Sequence, residues 1–112
     1  MKAVSPLDAE PDEDCPPAPV PHGAVLREIP IVNRKGLHAR ASAKFVQTVE
    51  RFDSEVTVTR CRETVGGRSI MGLLTLGAAQ GTTIAVTAKG DDADACLDAI
   101  AGLVGGRFGE DE

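Results

Sequence analysis

A histidine and an arginine stand two positions apart where a glycine-containing loop leads into a predicted helix; segment 33–40 reads NRKGLHAR. At a helix start several backbone N–H groups lack partners, and the helix dipole favours negative charge there. A neutral imidazole at His38 can attack phosphorus, and the amides of Ala39 and Arg40 would then face the bound anion. Arg40 adds a permanent charge that can hold phosphate oxygens in bidentate fashion. The pair indicates a phosphoryl-accepting site, with a solvated histidine capping a helix as the alternative.

A second candidate site begins at Ser69, the first residue of a segment that reads SIMGLLTLG. Serine is a preferred N-cap residue, and capping alone explains its presence. The same position suits a regulatory phosphate, because a helix start favours an anion. A short helix cannot bury all of its large apolar side chains, so some of them should form an exposed patch for a partner. The predicted docking residues are Ile70, Met71, Leu73 and Leu74.

Other kinds of site find little support. Asp91, Asp92 and Asp94 are not followed by the twelve-residue loop with a terminal glutamate of a calcium site, so we predict no metal. No Lys-Ser/Thr follows the glycine pair at 66–67 at the spacing of a phosphate loop, and we predict no cofactor. The cysteines are odd in number and lack short spacings, which argues against a disulfide framework and indicates a reducing cytoplasm. They are Cys15, Cys61 and Cys96.

Composition excludes further classes of function. The 112 residues have a net charge of -5, and only 3% of them are aromatic. An acidic chain with so few rings for base stacking is not typical of a nucleic-acid binder. No apolar run approaches the roughly 20 residues that span a bilayer, so we expect no membrane insertion.

Charge and proline divide the chain into three parts. Residues 1–24 hold six of the seven prolines and five acids against one base. Such a segment cannot bury a core, so we predict a disordered acidic extension that is dispensable for folding. The folded domain is predicted at 25–109, followed by an acidic tail at 110–112.

Strand-like and helix-like periodicities follow one another along the domain. Pro30 cannot donate a hydrogen bond within a sheet, which places the first strand at an edge. The order β-α-β-β-α-β-α predicts an α+β fold, in which a four-stranded antiparallel sheet carries all three helices on one face and is solvated on the other. The strands are predicted at 26–32, 56–59, 64–65 and around 84–86, and the helices at 38–51, 70–76 and 91–104.

The two candidate segments resemble the two signatures of one protein family. The run GLHAR at 36–40, followed by ASAKFV at 41–46, is similar to the active-site signature of HPr, the histidine-containing phosphocarrier of the bacterial phosphotransferase system. The run RSIMGLLTLG at 68–77 resembles the regulatory serine signature of the same family, at the usual separation. The resemblance covers about residues 25–108 and implies an open-faced β-sandwich.

The resemblance also implies roles for single residues. His38 would accept a phosphoryl group from enzyme I, with phosphoenolpyruvate as the original donor, and pass it to an enzyme IIA domain. Arg40 would stabilise the group, and Ser69 would be phosphorylated by the HPr kinase/phosphorylase. The chain would be a monomeric cytoplasmic carrier rather than an enzyme. The alternative is a regulatory phosphorelay protein of the same fold, in carbon or nitrogen signalling, that is not coupled to sugar uptake.

Three features depart from the family pattern. Ala41 stands where proline is common, but alanine favours helices, so the helix start should survive. The segment RCRE at 60–63 replaces a glycine-containing hairpin turn and predicts a longer or strained turn. The extension 1–24 lies outside the pattern.

Overall fold

Four strands, three α-helices and a short 3₁₀ turn are found in the part of the chain that the structure describes. The structure, a computed structural model, describes residues 15–111. The strands are β1 (Val25–Pro30), β2 (Glu55–Arg60), β3 (Glu63–Gly66) and β4 (Thr83–Lys89). The helices are α1 (Ala39–Val49), α2 (Ile70–Thr75) and α3 (Ala93–Gly105), and a 3₁₀ turn follows at Arg107–Gly109. The predicted order β-α-β-β-α-β-α is confirmed.

The strands form one antiparallel sheet in the order β1-β4-β2-β3. β1 lies at the edge, as Pro30 predicted, because proline has no N–H to donate to a second neighbour. β4 is central, and Ile84 and Val86 are fully buried on the helix-covered face. The sheet therefore presents one apolar face to the three helices.

The core lies between that face and the helices. Apolar residues recur at helical spacing on one side of α1 and on one side of α3, and these sides face the core. The fully buried residues of the helices are Ala41, Ser42, Phe45, Val49, Leu73, Cys96, Leu97, Ile100 and Val104. Within residues 15–111, no helix has the length and apolar content that crossing a bilayer requires.

The outer face of the sheet is more covered than expected. Ala85 and Thr87 alternate with the core residues of β4, yet they are 8% and 1% exposed. Residues 15–18 border a groove together with Thr59 and Ala85, so the described part of the extension lies against this face. The prediction of a wholly solvated face is therefore wrong. The predicted disorder of residues 1–14 falls outside the described residues.

Cys15 forms a disulfide with Cys61, with the two Cα atoms 4.7 Å apart. The argument against a disulfide is wrong for this pair. The two cysteines are 46 residues apart in sequence, and they meet only because the extension returns across the sheet to the turn between β2 and β3. Cys96 is buried and unpaired. The cysteines thus give no support for a reducing compartment.

The turn between β2 and β3 is short and strained. Arg60 pairs with Glu63, so only two residues connect the strands, and of the two predicted alternatives the longer turn is not the one found. Cys61 has a φ of 59°, in the left-handed region that favours glycine. The predicted strain is confirmed, and it lies at the residue that carries the disulfide.

Candidate functional site

The loop before α1 is fixed by the segment that follows α2. Gly36 has a φ of +65°, and a Cβ added there would lie 2.4 Å from the carbonyl oxygen of Ala78. Only glycine therefore fits this position. The next amide, that of Leu37, donates to the same carbonyl oxygen at 2.9 Å. These contacts fix the position of the backbone just before His38.

His38 is the N-cap residue of α1 rather than its first helical residue. Its backbone is extended, with φ -79° and ψ -177°, and its carbonyl oxygen accepts the amide of Ser42 at 2.8 Å. The imidazole makes no capping hydrogen bond to the helix. It therefore leaves the first amides of α1, which have no partner within the helix, available to an anion beside the ring.

The partner of the imidazole is Glu110, a residue that sequence reasoning left in an acidic tail outside the domain. The Nε2 atom of His38 lies 2.6 Å from Oε2 of Glu110. Oε1 of Glu110 accepts a hydrogen bond from Nδ2 of Asn33 at 3.1 Å. The hydrogen bonds from His38 and Asn33 hold the pKa of Glu110 below its usual value of 4.5. Glu110 is therefore a carboxylate at neutral pH and part of the site.

The chain brings Glu110 to the site through a sharp turn after α3. Arg107, Phe108 and Gly109 all have positive φ, at 59°, 55° and 78°. The Phe108 side chain is fully buried. The backbone carbonyl oxygen of Phe108 accepts a hydrogen bond from Nζ of Lys44 at 2.6 Å. Burying a phenylalanine side chain contributes about 1.5–3 kcal/mol, which offsets the strain of the turn. A large apolar residue just after a Gly-Gly helix end is the one sequence signal that could have indicated this anchor.

Arg40 lies in the first turn of α1, next to the imidazole in sequence and exposed to solvent. No hydrogen bond or ion pair of its guanidinium is found within residues 15–111. A cation at a helix start gains nothing from the helix dipole. Its position is therefore better explained by an anion that binds at this helix start than by the stability of α1.

Ser69 is the N-cap of α2, as predicted. Its Oγ atom accepts a hydrogen bond from the amide of Gly72 at 2.9 Å, and the side chain is exposed. A Cβ at Gly72 would lie 2.9 Å from Cβ of Val65, so this glycine allows α2 to approach β3. The hydroxyl is held at the surface, where another protein can reach it.

The four predicted docking residues do not share one surface. Ile70 and Met71 are 40% and 70% exposed, and Leu74 is half-buried. Leu73 is fully buried, so its assignment to a docking surface is wrong, because it points into the core between α2 and the sheet. The exposed apolar surface, here called the α2 patch, consists of Ile70, Met71 and Leu74.

The two candidate sites lie near opposite ends of α2. Ser69 precedes the helix, whereas Ala78, which holds the loop before His38, follows it. Six helical residues span about 9 Å along the axis. The α2 patch lies on this same short helix, so a single partner can contact it together with either site.

The chain can be placed in a family by comparison with known proteins. A family model described as the PTS HPr component phosphorylation site matches residues 25–105. The chain belongs to the HPr family. The match begins at the first residue of β1 and ends at the last residue of α3, so both the extension and the segment with Glu110 lie outside it.

Individual HPr-family proteins agree with this assignment. Phosphocarrier protein HPr of Neisseria meningitidis serogroup A is 49% identical over 86 residues, which cover 77% of this chain and 97% of that protein. Phosphocarrier protein NPr of Shewanella violacea is 43% identical over 84 residues, covering 75% and 92%. The crystal structure of HPr-C-His from Thermoanaerobacter tengcongensis has a TM-score of 0.75 at 39% identity, covering 79% and 99%. This HPr-family chain is thus a phosphocarrier with the open-faced β-sandwich fold.

Proposed function

We propose that this HPr-family chain accepts a phosphoryl group from phospho-enzyme I on His38 and passes it to an enzyme IIA domain. The observation that carries the proposal is the position of His38 as the N-cap of α1, with a side chain that does not cap the helix. The nucleophile and the unpartnered amides of one helix start then serve the same anion.

The chain's residues divide the work of transfer. A ring nitrogen with a lone pair attacks phosphorus while the bond between phosphorus and the donor breaks, and the electron pair of that bond stays with the donor. The anionic oxygens meet the first amides of α1 and the guanidinium of Arg40, which is exposed beside them. Passing the group to the acceptor reverses these steps, and the imidazole is restored.

Labelling with enzyme I and radioactive phosphoenolpyruvate tests the proposal. We expect one labelled site, stable in base and labile in acid, that maps to His38 by mass spectrometry under basic conditions. His38→Ala should take up no label, whereas His22→Ala, a matched control at an exposed position in the extension, should be labelled fully. Full labelling of His38→Ala would remove His38 from the mechanism.

Ser69 is proposed as a regulatory site that the HPr kinase/phosphorylase modifies at the expense of ATP. Its hydroxyl is exposed at the start of α2, and the α2 patch begins with the next residue. A phosphate there would change the surface that enzyme I and enzyme IIA domains contact. We further propose that the chain acts as a monomer, which sedimentation velocity on the full chain would check, and that it acts in the cytoplasm, where phosphoenolpyruvate and ATP are available.

A second candidate function is a regulatory phosphorelay that uses the same His38 without sugar uptake. It is favoured by the 43% identity to a protein named NPr, close to the 49% identity to a protein named HPr. The phosphorylated chain can be offered to an enzyme IIA domain of a sugar permease and to one of a nitrogen-related relay. Faster transfer to the sugar domain supports the carrier in transport, and faster transfer to the other domain supports the relay.

A further inference from the structure

We infer that Glu110 is a positioning residue for phosphoryl transfer: its carboxylate accepts a hydrogen bond from Nε2–H of His38 and so fixes the tautomer and the orientation of the reacting ring. This inference rests on the proposed function of His38. It assigns a role to a residue beyond the segment that the family model matches.

The hydrogen-bond chemistry decides which ring nitrogen reacts. A carboxylate can only accept hydrogen bonds, so the 2.6 Å contact with Oε2 of Glu110 places a proton on Nε2 of His38. In the neutral ring the lone pair is then on Nδ1. Because the two nitrogens are not adjacent in the ring, the carboxylate does not occupy the position of the incoming phosphorus.

Charge develops on the ring during transfer. The Nδ1–P bond forms as the bond between phosphorus and the donor breaks, the electron pair stays with the donor, and the proton on Nε2 stays on His38. The ring thereby gains positive charge. A carboxylate on Nε2–H stabilises that charge and fixes the ring orientation, as carboxylates paired with histidine do in other proteins.

The carboxylate is itself held in place by a buried side chain. Asn33 is fully buried, and its amide nitrogen donates both to the carbonyl oxygen of Gly36, at 2.9 Å, and to Oε1 of Glu110. Its Oδ1 atom has no hydrogen-bond partner within residues 15–111. A buried acceptor without a partner is unfavourable, so the amide is turned toward Glu110 at a cost to stability. An amide that is oriented at a cost to stability is expected where it holds a functional side chain, here the carboxylate of Glu110, in place.

The test compares full-length variants of two neighbouring carboxylates. Glu110→Gln keeps the shape of the side chain and removes its charge, and we expect transfer from phospho-enzyme I to fall roughly tenfold. Asp111→Asn changes the net charge equally. Asp111 is exposed, and its hydrogen bond from Arg107 is made by the backbone carbonyl oxygen rather than by the carboxylate. This control should therefore transfer at the wild-type rate. Thermal unfolding of both variants should match that of the wild type, and Glu110→Ala provides a second test of the same side chain.

Nitrogen-15 NMR of the imidazole gives a readout that does not depend on transfer. In a His22→Gln background only His38 contributes histidine signals. We expect the spectrum of a protonated Nε2 and an unprotonated Nδ1. Adding Glu110→Gln should move both signals toward the average of two exchanging tautomers. A purely structural role of Glu110 would leave these signals unchanged.

The outcomes separate this inference from the function on which it rests. If the wild type takes no label on His38, the proposed function fails. If the wild type is labelled and both Glu110 variants transfer as fast or faster, the role of Glu110 is overturned. An equal loss in Asp111→Asn would also overturn it, because net charge alone would then explain the effect.

Discussion

At the scale of single residues, the site depends on groups whose positions do not serve stability. The imidazole of His38, the N-cap residue of α1, makes no capping hydrogen bond, and Arg40 lies in the first turn of α1, where the dipole disfavours a cation. Asn33 keeps a buried oxygen without a partner in the described part of the chain. Several unfavourable local arrangements close together indicate a functional site, in this case one that binds an anion.

Replacement of Arg40 should slow transfer without loss of stability. Because the exposed guanidinium would contact the phosphoryl oxygens, Arg40→Ala should reduce the rate of transfer from phospho-enzyme I at least tenfold, roughly 1.4 kcal/mol of barrier. The melting temperature should stay the same or rise slightly. Arg34→Ala, in the loop before the helix, serves as a comparison for loss of positive charge. An unaltered rate in Arg40→Ala would exclude the residue from the mechanism.

At the scale of elements, hydrogen bonds from a neighbouring loop hold the start of α3 in place. The carboxylate of Asp92, the N-cap residue of α3, does not cap its own helix. It accepts hydrogen bonds from Oγ of Ser54 and from the amide of Asp53, at 2.8 Å, and so joins the start of α3 to the loop before β2. These bonds lower the pKa of Asp92, the Ser54 hydroxyl most strongly.

The Asp92 contact should contribute to stability at neutral pH and lose its effect in acid. A carboxyl whose folded pKa lies below its usual value of 3.8 stabilises the fold above that pH. The contribution disappears as the pH falls through the lowered pKa. Asp92→Asn should therefore be less stable than wild type in urea at pH 7, and the difference should shrink below pH 3.8. Asp91→Asn is the matched control, and a difference that is constant with pH would contradict this assignment.

A negative charge at Ser69 should weaken binding to enzyme I without unfolding α2. Aspartate is a good N-cap residue, and a helix start tolerates its charge, so Ser69→Asp should keep the melting temperature. Residues 25–109 hold eleven bases and nine acids, so a partner that fits this domain is expected to present acidic groups. Next to the α2 patch, the added negative charge brings a desolvation cost and repulsion against such a partner. We expect a raised half-saturation concentration in the transfer assay.

Ser69→Asn is the control for this experiment, since asparagine caps equally well without charge. Identical transfer curves for Ser69→Asp and wild type would refute a docking surface shared between Ser69 and His38. A collapsed melting temperature in Ser69→Asp would mean that the serine serves only as a cap.

At the scale of the whole molecule, the hydrophobic core found among residues 15–111 includes no residue of the described part of the extension. Every residue of the hydrophobic core lies between Ile29 and Phe108. The extension adds a cover on the outer face of the sheet and one covalent link across 46 residues. We therefore expect a chain that begins at Val25 to fold. Its stability should equal that of the full-length protein without the disulfide between Cys15 and Cys61.

The disulfide should account for the effect of the extension on stability. Closing a loop of this length stabilises a fold by up to about 4 kcal/mol through the entropy of the unfolded chain. The oxidised full-length protein should melt several degrees above the reduced protein. Cys15→Ser and the chain beginning at Val25 should both melt with the reduced protein and not respond to dithiothreitol. Equal melting of the oxidised and reduced forms would show that the link does not constrain the domain.

The sequence by itself determined the elements and the identity of the two helix starts. Apolar periodicity, glycine and capping residues act within a few positions, so they predicted α1 and α3, the edge strand with Pro30 and the N-cap role of Ser69. The segment with His38 and Arg40 is equally local, and its resemblance to a known signature was enough to indicate phosphoryl transfer.

The tertiary structure alone decided which distant residues meet. Glu110 reaches His38 across 72 residues because Phe108 is buried and three left-handed residues reverse the chain after α3. Cys15 meets Cys61 because the extension crosses the sheet, and Leu73 is lost from the α2 patch because only the packing of α2 shows which of its apolar residues faces inward. Such contacts depend on the path of the whole chain, which leaves no periodic pattern in the sequence.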